Sequence, residues 1–257
     1  MTDRPRTVDL NADLGEGFGP YRLGDDAAML GLVSSANVAC GFHAGGPEEM
    51  FATFCLAHER GVAIGAHPGF ADREGFGRRA LPLSTAEVER QCAYQIGAAC
   101  GMAALAGHRI THVKAHGALY NLAAEDAAVA RAIARAIRAV DPSLICLTLA
   151  GTPAETEAMA AGLRVAAEVF ADRGYRADGT LLPRAAPGAV LHDPAMVAER
   201  MLAMLAEGAI IAADGTRKPQ RMDSICLHGD TPGAVALAAH LRQALVDAGW
   251  RVAPFAG

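Results

Sequence analysis

Three observations in the sequence predict an α/β fold, a single-domain TIM-like (β/α)7 barrel spanning residues 1–257. Short apolar runs alternate with alanine-rich helical stretches from one end of the chain to the other, the order produced by repeated βα units around a parallel sheet. The strands turn polar on one face towards their C-terminal ends, where a barrel keeps its chemistry. The length also fits, because such barrels commonly reach about 200 to 250 residues without dividing.

Seven segments carry the strand pattern: 8–13, 37–43, 62–67, 111–116, 144–149, 165–170 and 224–228. A shorter run, 209–213, is an eighth candidate. Helix starts are marked by Thr152-Pro153, Asp193-Pro194 and Thr231-Pro232, each a capping side chain followed by a proline suited to the first helical position. Gly46-Pro47 is a looser version, and Ser84 with Glu87 forms a capping-box pattern. Gly61, Gly107, Gly162, Gly208 and Gly249 stand where helices should stop. Two connections, 68–82 and 171–190, are too long for turns. Long loops after barrel strands cover the mouth of the barrel, and both of these are rich in arginine.

Hydrophobic residues make up 52% of the chain but aromatics only 5%, so the core must be built from Ala, Val, Leu and Ile. A net charge of −5 offers no basic field for nucleic acid or an anionic membrane, which leaves small solutes as the expected ligands. No stretch approaches the roughly 18 apolar residues of a membrane span, and no secretory signal is evident, so the expected location is the cytoplasm. Six cysteines without a CxxC pair read as reduced thiols.

Residues two apart on a strand share a face. By that rule Asp9, Asn11 and Asp13 point one way on the first strand, and His43 ends the second in the same sense. Gly65 and His67 agree on the third, His112, Lys114 and His116 on the fourth, Glu168 and Asp172 at the sixth, His228 and Asp230 at the seventh. Asp13, His43 and His67 can hold a divalent metal ion. His116 and His228 can act as general acid or base, with Asp230 orienting His228. Lys114 can stabilise an oxyanion, or it can be a core lysine paired with Glu168; Glu168 is the candidate base for activating water. Arg73, Arg78, Arg79, Arg173 and Arg184 can clamp a carboxylate or phosphate from the loops. Of these Arg73, Arg79 and Arg173, with Asn11 and Glu16, are the substrate-binding candidates. Cys226 lies on the polar phase and Cys40 on the apolar one. DLGEGFG is glycine-rich but has neither the GxGxxG nor the Walker arrangement that cradles phosphates.

Several long motifs in order, DLNADLGEGFG at 9–19, NVACGFHAGGP at 37–47, GAHPGFADREGFGRR at 65–79, VKAHGALYN at 113–121, EVFADRGY at 168–175 and CLHGDTP at 226–232, resemble the LamB/YcsF family over nearly the whole chain. Three places depart from the family pattern: Gly46 where Asp is usual, Gly69-Phe70-Ala71 in place of a Ser-Tyr-Pro-like run, and Ala115 where Pro is usual. The resemblance implies the A subunit of an ATP-hydrolysing 5-oxoprolinase, working with B and C subunits. The implied reaction opens the lactam of 5-oxo-L-proline to L-glutamate at the expense of ATP. It also implies a barrel similar to those of the glycoside hydrolases and deacetylases. Two rival readings follow from the same residues: a metal-dependent carbohydrate deacetylase, and a non-catalytic substrate-binding subunit.

Overall fold

The computed structural model of the chain describes residues 6–229 and 233–256. Strand β1 (Thr7–Leu14) sets the pattern for the molecule. Its Val8, Leu10, Ala12 and Leu14 join the apolar core between sheet and helices, while Asp9, Asn11 and Asp13 are buried on the opposite face, along the barrel axis. Then come α1 (Asp26–Met29), β2 (Ser35–Ala39), α2 (Pro47–Arg60), β3 (Ala63–His67), α3 (Thr85–Leu105) and β4 (Ile110–Val113). A helix pair, α4 (Gly117–Glu125) and α5 (Ala127–Val140), leads to β5 (Ile145–Leu149), α6 (Pro153–Ala160) and β6 (Val165–Phe170). The chain finishes with α7 (Pro194–Glu207), β7 (Ala209–Ile211), β8 (Arg217–Pro219), β9 (Ser224–His228), α8 (Ala234–Asp247) and β10 (Arg251–Val252).

The strands β1, β2, β3, β4, β5, β6 and β9 run parallel in that order, and β9 pairs back onto β1 from Asp9↔Ser224 to Asp13↔His228. The seven-stranded closed barrel expected from the sequence is thus present, with helices packed outside. Closure removes the sheet edges that an open parallel sheet would leave unpaired.

Several local expectations need correction. The run at 209–213 is not a barrel strand: β7 pairs antiparallel with β8 in a separate two-stranded ribbon. Strands two and four stop at Ala39 and Val113, short of His43 and His116. After β2 the chain turns tightly, with Gly41 and Gly45 both at positive φ and the Gly41 N–H donating to the Ala44 carbonyl. After β4, His116 already stands at the position preceding α4, its side chain turned to other partners. Both histidines therefore sit on the loops that crown the barrel. The two-residue β10, pairing with the start of β1, is too short for any periodicity to announce.

Helix ends follow the local chemistry. Ser84 and Glu87 make a reciprocal capping box, Asp193 accepts from the Ala195 and Met196 N–H groups, and Gly61 and Gly208 close their helices in the left-handed conformation. Thr152 behaves differently. Its hydroxyl donates to the Leu149 carbonyl at 2.7 Å instead of capping α6. Thr231-Pro232 lies outside the described residues.

The lower end of the barrel is plugged by Ile145, Leu147 and Ala166 with Phe255 packed against them. Above this plug lies a polar layer. His112 reaches past β3 to β2, its Nε2 2.9 Å from Asn37 Oδ1 and its ring 5.1 Å from that of Phe255. Gly65 on the neighbouring strand makes the space: a Cβ there would fall 2.3 to 2.7 Å from the His112 ring. Gly65→Ala should therefore destabilise the fold by about 1 to 3 kcal/mol through overpacking. Thermal unfolding of Gly65→Ala, His112→Ala and the double variant measures it. The two changes should offset each other in part, and strict additivity would show that this contact is not the cause.

Candidate active site

Lys114 is 2% exposed and is surrounded by acceptors. Its Nζ lies 2.8 Å from Glu168 Oε1 and 3.1 Å from Asp13 Oδ1, with Cys226 Sγ at 3.0 Å and Asn11 Oδ1 at 3.4 Å. The Phe170 ring lies 5.1 Å from the ammonium. Asn11 donates to Glu168 and Ser224, and Asn37 donates to Asn11 and Asp13, so the network is tied together across four strands. Burial works against a charged lysine, but the Asp13 and Glu168 carboxylates outweigh it and raise its pKa well above the ordinary range. Burial likewise opposes the Asp13 charge, yet His67 and Lys114 hold that carboxyl well below the usual value. Cys226 is pushed well above the usual thiol range by burial, and Lys114 beside it only partly offsets this, so it is a neutral neighbour and no nucleophile.

Above this layer four buried residues converge. Glu16, His43, His67 and His116 each place one ligand-type atom within 4.8 Å of the other three. His67 Nδ1 donates to the Lys114 carbonyl at 2.8 Å and His116 Nε2 to the Phe76 carbonyl at 2.8 Å. Their remaining nitrogens face each other at 2.9 Å. Glu16 Oε1 is 3.7 Å from both His43 Nε2 and His116 Nδ1, and Asp13 Oδ2 is 3.4 Å from His67 Nε2. His43 stacks on His116 with ring centres 3.7 Å apart, and among the described residues neither of its nitrogens has a hydrogen-bond partner. Burial lowers the pKa of both His43 and His116 well below that of a free imidazole.

These residues open onto a cleft of about 250 Å³ lined on the other side by Tyr120, Phe170, His228 and the 171–190 loop. His228 Nδ1 is held by Asp172, 2.8 and 3.0 Å from its two oxygens, which leaves Nε2 as the nitrogen free to exchange a proton. Arg173 lines the cleft although it is 5% exposed, and it donates to the Ala189 and Leu182 carbonyls. Among the described residues no carboxylate lies within ion-pair distance of it. Burial, with Arg184 nearby, brings its pKa down to about 10.

Most of the groups expected from the sequence meet here, although several of their partners differ. Lys114, His116, His228, Asp13, His67, Glu16 and Arg173 line one cleft, with His43, Asn11 and Glu168 buried beside or beneath it. Glu168 sits under Lys114 as its counter-ion rather than facing the cleft. Arg79 pairs with Asp72, and Arg73 donates to the Gly41 carbonyl and lies 3.7 Å from the Phe18 ring, so neither lines the cleft. Asp230 lies outside the described residues, and the carboxylate that orients His228 is Asp172, two residues past the end of β6. The shared phase of Glu168 and Asp172 was the available signal. The Gly69 departure also gains a meaning, because a Cβ at that position would stand 2.5 Å from His43 Nδ1.

The LamB/YcsF family profile matches residues 8–257. This chain belongs to the LamB/YcsF family. Among its relatives in that family, the 5-oxoprolinase A subunit of Rhodopseudomonas palustris is 57% identical over 251 residues, covering 97% of this chain and 99% of the relative. The corresponding 5-oxoprolinase A subunit of Paracidovorax citrulli is 55% identical over 249 residues, with 97% and 99% covered. The solved lactam utilization protein from Thermus thermophilus superimposes with a TM-score of 0.91 at 47% identity, covering 96% of this chain and 99% of that one. A solved structure from Enterococcus faecalis, at 14% identity and a TM-score of 0.57 over 98% of each chain, shares the fold alone. No helix among the described residues is long and apolar enough to cross a membrane.

Burying neutral imidazoles has a cost at low pH. His112 is held down to about 3 by burial, with Lys114 and His67 adding to the effect. Its folded pKa is lowered, so the unfolded chain binds the extra proton: this stability is present above about pH 6.5 and is lost as pH falls. Between pH 6.5 and 5 the loss should be about 2 kcal/mol. Denaturant unfolding at pH 7 and 5 should show that much more acid destabilisation in the parent than in His112→Gln; equal losses would contradict the assignment.

Proposed function

We propose that this chain is the A subunit of an ATP-dependent 5-oxoprolinase and supplies the site where the lactam of 5-oxo-L-proline is opened to L-glutamate, with B and C subunits as partners. The observation that carries the reading is a buried ammonium, Lys114, at the base of a cleft that is also lined by an arginine, Arg173, with no carboxylate at ion-pair distance among the described residues. The names of the family relatives at over half identity support the same substrate.

In this reading Arg173 receives the substrate carboxylate, and Lys114 faces the lactam oxygen and balances the negative charge of the phosphoryl group that this oxygen carries once activated. Asp13 and Glu168 hold the lysine charged and in place. Ring opening breaks the C–N bond, its electron pair goes to nitrogen, and His228 held by Asp172 supplies the proton that nitrogen needs. ATP provides the activation: transfer of its terminal phosphoryl group to the lactam oxygen yields ADP and an electrophilic carbon. One water then opens the ring and a second releases phosphate, so the sum is 5-oxoproline, ATP and two waters giving glutamate, ADP and phosphate. Because this chain carries neither the GxGxxG nor the Walker arrangement that cradles phosphates, handling of the nucleotide is assigned to the B and C subunits.

Reconstitution with the partner subunits tests this. Phosphate and glutamate should appear together and only when 5-oxoproline is supplied. Lys114→Met should lower kcat by about 100-fold or more, while Arg173→Met should act mainly on KM, raising it about tenfold or more. Full turnover by Lys114→Met, or release of acetate from N-acetylated sugars by this chain alone, would refute the assignment.

A further inference from the structure

The four-residue cluster at the mouth of the barrel contains an electrostatic conflict. A carbonyl oxygen can only accept, so the bonds to the Lys114 and Phe76 carbonyls put the hydrogens on His67 Nδ1 and His116 Nε2. The two nitrogens left over, His67 Nε2 and His116 Nδ1, then meet at 2.9 Å with a lone pair on each. Carboxylate oxygens close the other sides, Asp13 Oδ2 at 3.4 Å and Glu16 Oε1 at 3.7 Å. Such a convergence of acceptors is stable only around a positive species.

We propose that His67 Nε2, His116 Nδ1 and a Glu16 oxygen bind one divalent transition-metal ion, of which zinc suits the nitrogen-rich donor set. The supporting shell is of the kind metal-bound imidazoles require, because each histidine is fixed by a backbone carbonyl on its far nitrogen. The cluster is also enclosed. Gly77, at φ +61, leaves room for the rings, since a Cβ there would come within 2.7 Å of His43 and 2.9 Å of His116. His43 is the adjustable fourth ligand: rings stacked at 3.7 Å and 3° cannot both aim in plane at one ion, and no hydrogen bond to a described residue ties His43 in its present orientation. The set keeps two of the histidines expected from sequence and replaces Asp13, whose other oxygen is engaged by Lys114 and Asn37. It stands independently of the lactam reading, because it needs only the geometry of these side chains.

The experiment uses untagged full-length protein, stripped with a chelator and titrated with ZnCl2 or CoCl2 alone, with bound metal measured by elemental analysis and the Co2+ complex by its visible absorption. One ion per chain should be retained, with a low-coordinate Co2+ spectrum. His67→Gln, His116→Gln and the near-isosteric Glu16→Gln should each weaken binding at least about tenfold, His43→Gln less, with circular dichroism confirming that each variant is folded. No retained metal, or unchanged affinity in folded His67→Gln and Glu16→Gln, would overturn the proposal. A nitrogen NMR spectrum showing a proton shared by His67 and His116 without metal uptake would do so as well. Loss of lactam activity plays no part in the readout, so the two proposals can fail separately.

Discussion

Everything at the upper end of the barrel is arranged around one buried ammonium. Placing Lys114 in the interior costs several kcal/mol of lost hydration, and that cost is offset only because two carboxylates and an asparagine oxygen reach it from other strands. Those acceptors are themselves held, Asp13 and Asn11 by Asn37, and Glu168 by Asn11. The result is a polar core that tolerates few substitutions, because removing any member leaves a desolvated charge or acceptor behind. It also fixes the lysine in one orientation.

Much of this was legible in the sequence because side-chain alternation is a rigid rule. Once β1 is read as apolar outside and polar inside, the same phase recovers Lys114, Glu168, His67 and His228 as inward residues. What alternation cannot report is where a strand ends. His43 and His116 keep the apparent phase of their strands although they lie on loops, and they reach the site by a different route, through turns made possible by Gly41 and Gly117. Partner choice was also beyond it. The orientation of His228 comes from Asp172 across the β6–β9 seam; phase marks Asp172 as inward-facing, but its pairing with His228 depends on register. The arginines of the two long loops show the limit most plainly. Identical in type and each set in a long loop, Arg79 is satisfied by its neighbour Asp72 whereas Arg173 turns into the cleft, and only the path of the loop separates them.

Glycine contributes as much to the site as the ionisable residues do. Gly65, Gly69 and Gly77 each stand where a single extra carbon would strike a histidine ring, and they allow three imidazoles to pack closer than ordinary backbones would permit. The close packing leaves the histidines dry and uncharged, which makes them good ligands and poor proton carriers.

The barrel closes by pairing its first strand with its ninth, and Asp13 lies directly beside His228 across that seam. Residues separated by most of the chain must meet before the cleft is complete: Glu16, His43, His67, His116 and Lys114 all lie in the first half of the sequence, but His228 joins them only with the last barrel strand. On the ribosome the first strand has to wait, with its buried polar residues exposed, until the last barrel strand has emerged. Activity in this fold is therefore acquired late and all at once, and the contact that completes the cleft is the same one that completes the sheet.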